Sequence, residues 1–516
     1  MEANIKHESR VKKTLLNARV NTIFYFLTLL LSFFSRKIFL DCLGADFVGL
    51  TGTLYNLLGF LNLAELGIGS AIGYVLYKPI FEKDKEKINE IISVMGYLYR
   101  WIGIVILVLG SILACFLPLI FPDTGFDLRL IYFAYFSFLF SSLIGYFINY
   151  RQNLLGADQR NYVITGYFQT VNIIKTLCQM ASAYYTKSYV LWVIIEFSFG
   201  IIYAFILNWK INQTYPWLRT NIKQGKLLFK QYSDVMKYTR QLFIHRISAF
   251  VQFQISPFLI YAFVSLQTVA LYGNYTLLFD KVSQFFNNLL GSASASIANL
   301  IAEGDNVKVI RVFWEITSIR FFIAGIVVGC FYILTEPFIC VWLGPEYILP
   351  KGILFLLLIN FYIGMSRGSD SFLYGYGLFY DIWAPVIESV IYIVVAIVGG
   401  HFWGLTGVVL ATTVSTVVII GVWKPYFLFT RGFNLKALSY WKEWIKYLVV
   451  VILNVLIVSL VVKSSISFNT EFFDFLYKAL FVGLLVCILN FSSFYLLFKS
   501  FRDALKVYVI NRLLKK

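Results

Sequence analysis

The feature that most constrains this chain is a series of long apolar stretches that a lipid bilayer accepts as helices. A bilayer core about 30 Å thick needs about 20 helical residues. Only helices and closed barrels satisfy the backbone in lipid, and continuous apolar runs exclude the alternating pattern of barrel strands. The sequence therefore predicts an all-α integral membrane protein with about fourteen transmembrane helices, at residues 20–40, 46–77, 91–121, 128–149, 161–184, 189–209, 244–264, 269–300, 312–334, 351–373, 382–399, 405–427, 446–462 and 474–497.

Composition excludes several classes of protein. Of the 516 residues, 59% are hydrophobic and 14% are charged, against about 45–50% and about 25% in soluble domains. The six cysteines lie far apart, the chain has only three histidines, and no group has metal-ligand spacing. No P-loop motif occurs. We therefore expect no metal, no cofactor and no enzyme activity.

The net charge of +17 is distributed as in a membrane protein, which argues against nucleic acid as a partner. One set of alternate loops carries 32 Lys and Arg residues, whereas the other set carries 4. This asymmetry places both termini in the cytoplasm. The basic stretch Met1–Arg19 leads into an apolar run that is longer than the core of a signal peptide, so we expect no cleaved signal.

The spans divide into two similar halves. Segment 48–58 resembles segment 269–279, with Val, Leu, Gly and Leu at the same offsets, and both segments start the second helix of a half. This predicts two six-helix lobes related by a parallel pseudo-repeat, followed by an extra helix pair. The predicted bounds are 15–212 for the N-terminal lobe, 213–243 for a basic cytoplasmic linker, 244–430 for the C-terminal lobe, and 431–516 for the helix pair and an amphipathic tail.

Polar residues recur on single faces of five spans. In the first span Asn21, Tyr25, Thr28, Ser32 and Arg36 follow one another at steps of four and three. A charge at mid-bilayer costs at least about 2.5–3.5 kcal/mol, so such residues face a partner or water. Aligned polar faces in equivalent helices of the two halves predict a hydrated central cavity, although a lone Ser, Thr or Asn in a span usually makes an interhelical hydrogen bond.

The cavity is predicted to be cationic, which favours an anionic substrate such as a phosphate or pyrophosphate. Arg36, Lys281 and Arg367 are the main candidates for contact with that group. The full set of substrate-binding candidates is Arg36, Lys37, Asn62, Glu65, Lys281, Arg320 and Arg367, and the candidates for ion coupling or charge balance are Asp280, Asp370 and Glu388. Three other charged residues in spans, Lys175, Glu196 and Lys478, are interpreted as reaching a membrane interface.

Two further kinds of segment occur. Small residues in 63–73 and 291–296 indicate close helix packing or bending. Segments 227–243 and 498–516 combine basic and apolar residues, so they lie on the cytoplasmic membrane surface or pack as solvated helices on the bundle.

Several motifs resemble those of one transporter family. They are Arg36 with Leu43-Gly-Ala-Asp-Phe-Val-Gly-Leu-Thr-Gly52, Leu63-Ala-Glu-Leu-Gly-Ile-Gly-Ser-Ala-Ile72, Tyr77-Lys-Pro, Ala157-Asp-Gln159, Pro337-Phe-Ile-Cys-Val-Trp-Leu-Gly344, Arg367, Gly377, Asp381, Pro385, Glu388, Gly404-Leu-Thr-Gly407, Thr412 and Ser415. The sequence resembles the polysaccharide-biosynthesis flippases, the O-antigen and capsule (Wzx-type) transporters of the multidrug/oligosaccharidyl-lipid/polysaccharide superfamily, to which the MATE exporters also belong. Lys37 departs from the family pattern, so whether Arg36 or Lys37 meets the substrate stays open.

The resemblance implies a two-lobed, V-shaped transporter in the bacterial inner membrane. It implies flipping of undecaprenyl-pyrophosphate-linked oligosaccharide, such as an O-antigen or capsule repeat unit, from the cytoplasmic to the periplasmic leaflet, driven by an ion gradient. We expect the chain to act as a monomer among membrane lipids, with a polysaccharide polymerase and glycosyltransferases as partners. The alternatives are a multidrug–cation antiporter, a lipid II flippase and a membrane enzyme for the same glycan. The last of these is disfavoured by short outside loops.

Overall fold

The fold comes from a computed structural model of the chain. It describes residues 10–61, 68–122, 124–158, 160–232, 254–291, 297, 300–301, 303–365, 367–378, 380–381, 383–465 and 471–506. Within these ranges the chain is helical and has no β-strand. The predicted fold class, an all-α integral membrane protein, is confirmed.

The chain forms two compact units, Met1–Ala270 and Leu271–Lys516. The helices of unit 1 are α1 (Arg10–Leu61), α2 (Ile68–Glu82), α3 (Lys85–Ala114), α4 (Leu117–Ile120), α5 (Leu128–Phe147), α6 (Gln152–Ala157), α7 (Asn161–Thr186), α8 (Tyr189–Thr214), α9 (Ile222–Leu228) and α10 (Gln254–Phe263). Helix α11 (Leu266–Gly291) has residues in both units. The core of unit 1 is one apolar cluster that includes Phe47, Tyr135 and Leu207.

Unit 2 contains α12 (Asn306–Trp342), α13 (Lys351–Met365), α14 (Gly368–Gly375), α15 (Trp383–Trp403), α16 (Leu405–Gly432), α17 (Leu438–Ser465), α18 (Phe472–Leu497) and α19 (Lys499–Leu505). An aromatic cluster around Phe313, Phe429 and Phe433 holds α12 to α16. The predicted lobe boundaries and the linker 213–243 stay predictions, and residues 233–253 lie outside the described part of the chain.

Ten segments in the described part of the chain are long and apolar enough to cross a membrane. They lie in α1, α3, α5, α8, α12, the pair α13–α14, α15, α16, α17 and α18. Helices α7 and α11 have 26 residues each but carry more polar side chains. The predicted number of fourteen is therefore not confirmed, although multiple crossings are.

Helix α1 covers the first predicted span and the start of the second. The expected outside loop between them is replaced by a kink at Gly44, whose φ of 84° and ψ of 159° are not helical. Glycine has no Cβ to clash at this φ, so the break is inexpensive there. Helix α1 therefore consists of two helical segments joined at Gly44, which lies between the first two predicted spans.

Helices α15 and α16 pack with their backbones in close contact. A Cβ atom on Gly407 would overlap the carbonyl group of Gly399. Further along, α16 widens into π-helical turns at Val417–Trp423 and Leu428–Gly432. Pro425, which has no backbone N–H to donate, lies between these turns.

The C-terminal helices pack through buried amides. In α17 and α18, Asn454 donates to Asn490 Oδ1 at 3.2 Å, and Ser493 donates to Asn454 Oδ1 at 3.0 Å. Past α18, Phe501 is 1% exposed and packs against Phe322 of α12. The described part of segment 498–516 therefore packs on the bundle, and residues 507–516 lie outside the described ranges.

Candidate functional site

The predicted residues of unit 2 come together around α14. Arg367 occupies the N-cap position of this short helix, and its Nη2 lies 4.0 Å from Glu388 Oε1 of α15. The Glu388 side chain is only 10% exposed, whereas that of Arg367 is 48% exposed. One guanidinium thus combines a buried carboxylate partner with an accessible face.

Arg320 of α12 lies directly beneath α14. It is 8% exposed, and the aliphatic part of its side chain runs along the backbone of Gly368, where an added Cβ would lie 3.0 Å from Arg320 Cδ. Its Nε has no hydrogen-bond partner among the described residues. Asp370, in the first turn of α14, acts on Arg320 electrostatically. Predicted substrate and coupling residues are therefore neighbours here.

A third pair completes this group. Asp381, which is 3% exposed, accepts from Lys424 Nζ at 3.0 Å and from Trp423 Nε1 at 3.2 Å. Tyr374 lies within electrostatic reach of both charges of this pair and of Arg367 and Asp370. We call the six charged residues of this group the α14 charge cluster: Arg320, Arg367, Asp370, Asp381, Glu388 and Lys424. It holds three cations and three carboxylates, so its charges are matched.

In unit 1, Arg36 and Lys37 have different surroundings. Arg36 Nη2 donates to the carbonyl oxygen of Ala270 at 2.7 Å. Lys37 lies 3.4 Å from Asp41, and both side chains are about half exposed. Two hydroxyls on the Arg36 face, Thr28 and Ser32, donate to carbonyl groups of their own helix at 2.7 Å, which satisfies them without water.

The remaining predicted residues lie in α11 or outside the described ranges. The adjacent residues Asp280 and Lys281 interact electrostatically, and Asp280 is the more exposed. Asn62 and Glu65 fall in the undescribed segment 62–67. The predicted central cavity and the roles of all these residues stay predictions.

Sequence reasoning missed a buried polar network in unit 1. Lys175 of α7 and Glu196 of α8, interpreted above as interface residues, pair at 2.6 Å with side chains only 18% and 15% exposed. Gln179 donates to the second Glu196 oxygen at 2.9 Å, and Tyr55 also hydrogen-bonds to Glu196. The sequence did contain a signal for this pair, because Lys175 and Glu196 lie in consecutive spans that run antiparallel.

A second network lies where α6 and α8 end. Arg160 Nε is 2.7 Å from Asp158 Oδ2, and Tyr215 Oη donates to the same oxygen at 2.9 Å. Burial, and then the Asp158 carboxylate, raise the pKa of Tyr215. Elsewhere in the described residues, no group of three or more His, Cys, Asp or Glu side chains has the arrangement of a metal site.

Two solved transporters have similar structures. The lipid II flippase MurJ, in an inward closed conformation, matches with a TM-score of 0.62 and 16% identity over 92% of this chain and 98% of that chain. An inward-facing multidrug resistance MATE family transporter of the MOP superfamily matches with a TM-score of 0.59 and 13% identity over 77% of this chain and 93% of that chain. No protein family and no curated protein matches the sequence. The chain shares the fold of these two transporters.

Proposed function

We propose that this protein is a flippase that moves undecaprenyl-pyrophosphate-linked oligosaccharide, an O-antigen, capsule or other surface-polysaccharide repeat unit, from the cytoplasmic to the periplasmic leaflet. The observation that carries the proposal is the match to MurJ, which extends over 92% of this chain, compared with 77% for the multidrug transporter. The protein works by alternating access, uses an ion gradient and is not an enzyme. It resides as a monomer in the bacterial inner membrane with both termini cytoplasmic.

In this proposal the pyrophosphate binds Arg36, Lys281 and Arg367, and Lys37, Asn62, Glu65 and Arg320 line the same site. Arg367 supports this role because its side chain is 48% exposed and its guanidinium is only loosely paired with Glu388. A guanidinium binds phosphate oxygens through two parallel hydrogen bonds. Phosphate on Arg367 weakens its attraction for Glu388, which then takes up a proton or cation. Asp280 and Asp370 are the other coupling candidates.

Two other functions are candidates. A lipid II flippase differs from our proposal only in its substrate, and the MurJ match supports both equally. A multidrug–cation antiporter is favoured by the MATE match and predicts transport of organic cations. The α14 charge cluster has equal numbers of cations and carboxylates, so its charge does not distinguish between these functions. Under our proposal, glycosyltransferases supply the substrate and a polysaccharide polymerase consumes the product.

The test is transport by the purified protein in vesicles, with fluorescent lipid-linked oligosaccharide, lipid II and an organic cation compared side by side. We expect the oligosaccharide to be moved fastest, and Arg36→Ala and Arg367→Ala to lower its rate about ten-fold or more, the loss of one charged hydrogen bond. Arg219→Ala, at an exposed arginine of unit 1, is the control. If both variants keep full activity, Arg36 and Arg367 do not bind the pyrophosphate. If the protein transports only the organic cation, it is not a flippase.

A further inference from the structure

Unit 2 has a second polar site, at the end of the unit where α12 begins and α18 ends. It is a cavity of about 890 Å³ formed by α12, α16, α17, α18 and α19. None of the predicted substrate or coupling residues lines it. We call it the end pocket. Its position next to the ends of five helices puts it at one surface of the membrane.

One side of the end pocket is apolar. Phe429 and Tyr447 are at most 1% exposed, and Tyr447 packs against Phe498 with ring centroids 4.3 Å apart. Leu497 borders the pocket and is 64% exposed. The buried rings form the wall, and the exposed aliphatic side chain of Leu497 at a membrane boundary suits the upper part of a lipid chain.

The other side carries basic residues that form no ion pair in the described part of the chain. Arg311, Lys436, Lys442 and Lys499 line the pocket, all are exposed, and none has a carboxylate within 4.0 Å among the described residues. In contrast, Lys446, just outside the pocket, pairs with Glu443 at 2.6 Å. The carboxylates of Glu315, Glu443 and Asp503 also line the pocket, so the four cations outnumber the carboxylates by one, and a rim of cations without ion pairs favours an anionic group such as a phosphate.

The third feature is a buried carboxylate. Glu315 lines the pocket and is 3% exposed, yet its carboxylate makes no ion pair or hydrogen bond with any described residue. Asp503 acts on it with the same sign of charge and Arg311 with the opposite sign. A carboxylate that reaches the pocket with so little exposure is stabilised by a ligand that brings a cation or a hydrogen-bond donor.

A ligand for this pocket therefore carries a phosphate, a primary ammonium and an apolar tail. We propose that the end pocket binds the phosphoethanolamine headgroup of a membrane lipid, with the ammonium on Glu315 and the phosphate on the basic rim. A primary ammonium donates up to three hydrogen bonds, whereas the quaternary ammonium of choline donates none. A phosphoglycerol headgroup has no cation and leaves the Glu315 carboxylate unpaired.

The test is lipid binding to the full-length protein in detergent, measured by native mass spectrometry with phosphatidylethanolamine, phosphatidylcholine and phosphatidylglycerol. We expect phosphatidylethanolamine to bind about ten-fold more tightly than the other two, the difference made by one charged hydrogen bond. Equal affinity for the ethanolamine and choline lipids overturns the proposal. Soluble O-phosphoethanolamine should not displace the lipid at equal concentration, and displacement refutes the lipid assignment.

Variants locate the site. Glu315→Gln should remove the preference for phosphatidylethanolamine and leave the affinity for phosphatidylglycerol unchanged. The double variant Lys436→Gln/Lys442→Gln, at exposed positions that folding tolerates, should weaken all three lipids about equally. Glu303→Gln and Lys226→Gln, an exposed acid and an exposed base outside the pocket, are the matched controls. A preference that persists in Glu315→Gln, or affinities unchanged in the double variant, overturns the assignment.

Discussion

The buried pair Lys175–Glu196 allows a quantitative prediction, because unit 2 contains an exposed pair of the same length. Both pairs have an N···O distance of 2.6 Å, but the side chains of Lys175 and Glu196 are 18% and 15% exposed, against 60% and 37% for Lys446 and Glu443. At an effective dielectric constant of about 20, the gross attraction at this distance is about 6 kcal/mol for either pair. Any difference in their coupling energies therefore comes from burial.

Glu196→Gln leaves the Lys175 ammonium inside the helix bundle without an anion. Breaking a buried pair on one side costs about 3–5 kcal/mol, and we expect about 3 kcal/mol here because some water reaches the side chains. Lys175→Met should cost about 2 kcal/mol, since Gln179 and Tyr55 still hydrogen-bond to Glu196. The double variant leaves no buried charge and should cost only about 1–2 kcal/mol.

The assay is a double-mutant cycle on the free energy of unfolding, measured by denaturation in mixed micelles. We expect a coupling energy of about 3–4 kcal/mol for Lys175 and Glu196, and below about 0.5 kcal/mol for Lys446→Met with Glu443→Gln, because exposed pairs contribute little. Coupling energies that are equal within error for the two pairs would refute the argument that burial sets the value.

Three further predictions concern packing, the α14 charge cluster and pH. Gly407→Ala should lower the melting temperature because its Cβ would overlap the Gly399 carbonyl, whereas Gly483→Ala in α18, with no atom within 4 Å, should raise stability by up to about 1 kcal/mol. Gly368→Ala should displace Arg320, because its Cβ would lie 3.0 Å from Arg320 Cδ, and should therefore reduce transport in vesicles. Gly364→Ala is the control, because its Cβ would meet no atom within 4 Å, and it should leave transport unchanged. A stability contribution from Tyr215, whose pKa is raised in the folded protein, is complete below the unfolded pKa of about 10 and is lost as pH rises above it. The melting temperature should therefore decrease more between about pH 8 and about pH 11 for the wild type than for Tyr215→Phe.

The apolar runs predicted the helical class correctly because lipid leaves the backbone few alternatives. They predicted the ends of helices less well. Helix α12 extends over 306–342, whereas the predicted span covered 312–334. Hydropathy marks the part of a helix that lies in lipid, but backbone hydrogen bonding continues past it, here from the Asp305 cap through Pro337. The break between the first two spans was predicted at the right place, between residues 40 and 46, and the structure forms it as a kink at Gly44.

The candidate site was less predictable, because a sequence pattern shows the face on which a charge lies but not its partner. The basic residues of the predicted cavity were counted as a net positive charge. In unit 2 the structure places Arg367 beside Glu388, Arg320 near Asp370, and Lys424 on Asp381. These partners come from different helices, so their pairing depends on tertiary packing. The same limit explains why Lys175 and Glu196 were assigned separately to an interface.

The π-helical turns of α16 have a consequence for comparing this chain with relatives of slightly different length. Each such turn holds one extra residue, which rotates everything after it by about 100° relative to an uninterrupted α-helix. Deleting Gly421, which lies within Val417–Trp423, would restore regular winding and swing Lys424 away from Asp381. A one-residue gap in a sequence alignment at this point is therefore equivalent to a quarter turn of the downstream side chains, and a relative with the gap would need a different counter-charge for its lysine.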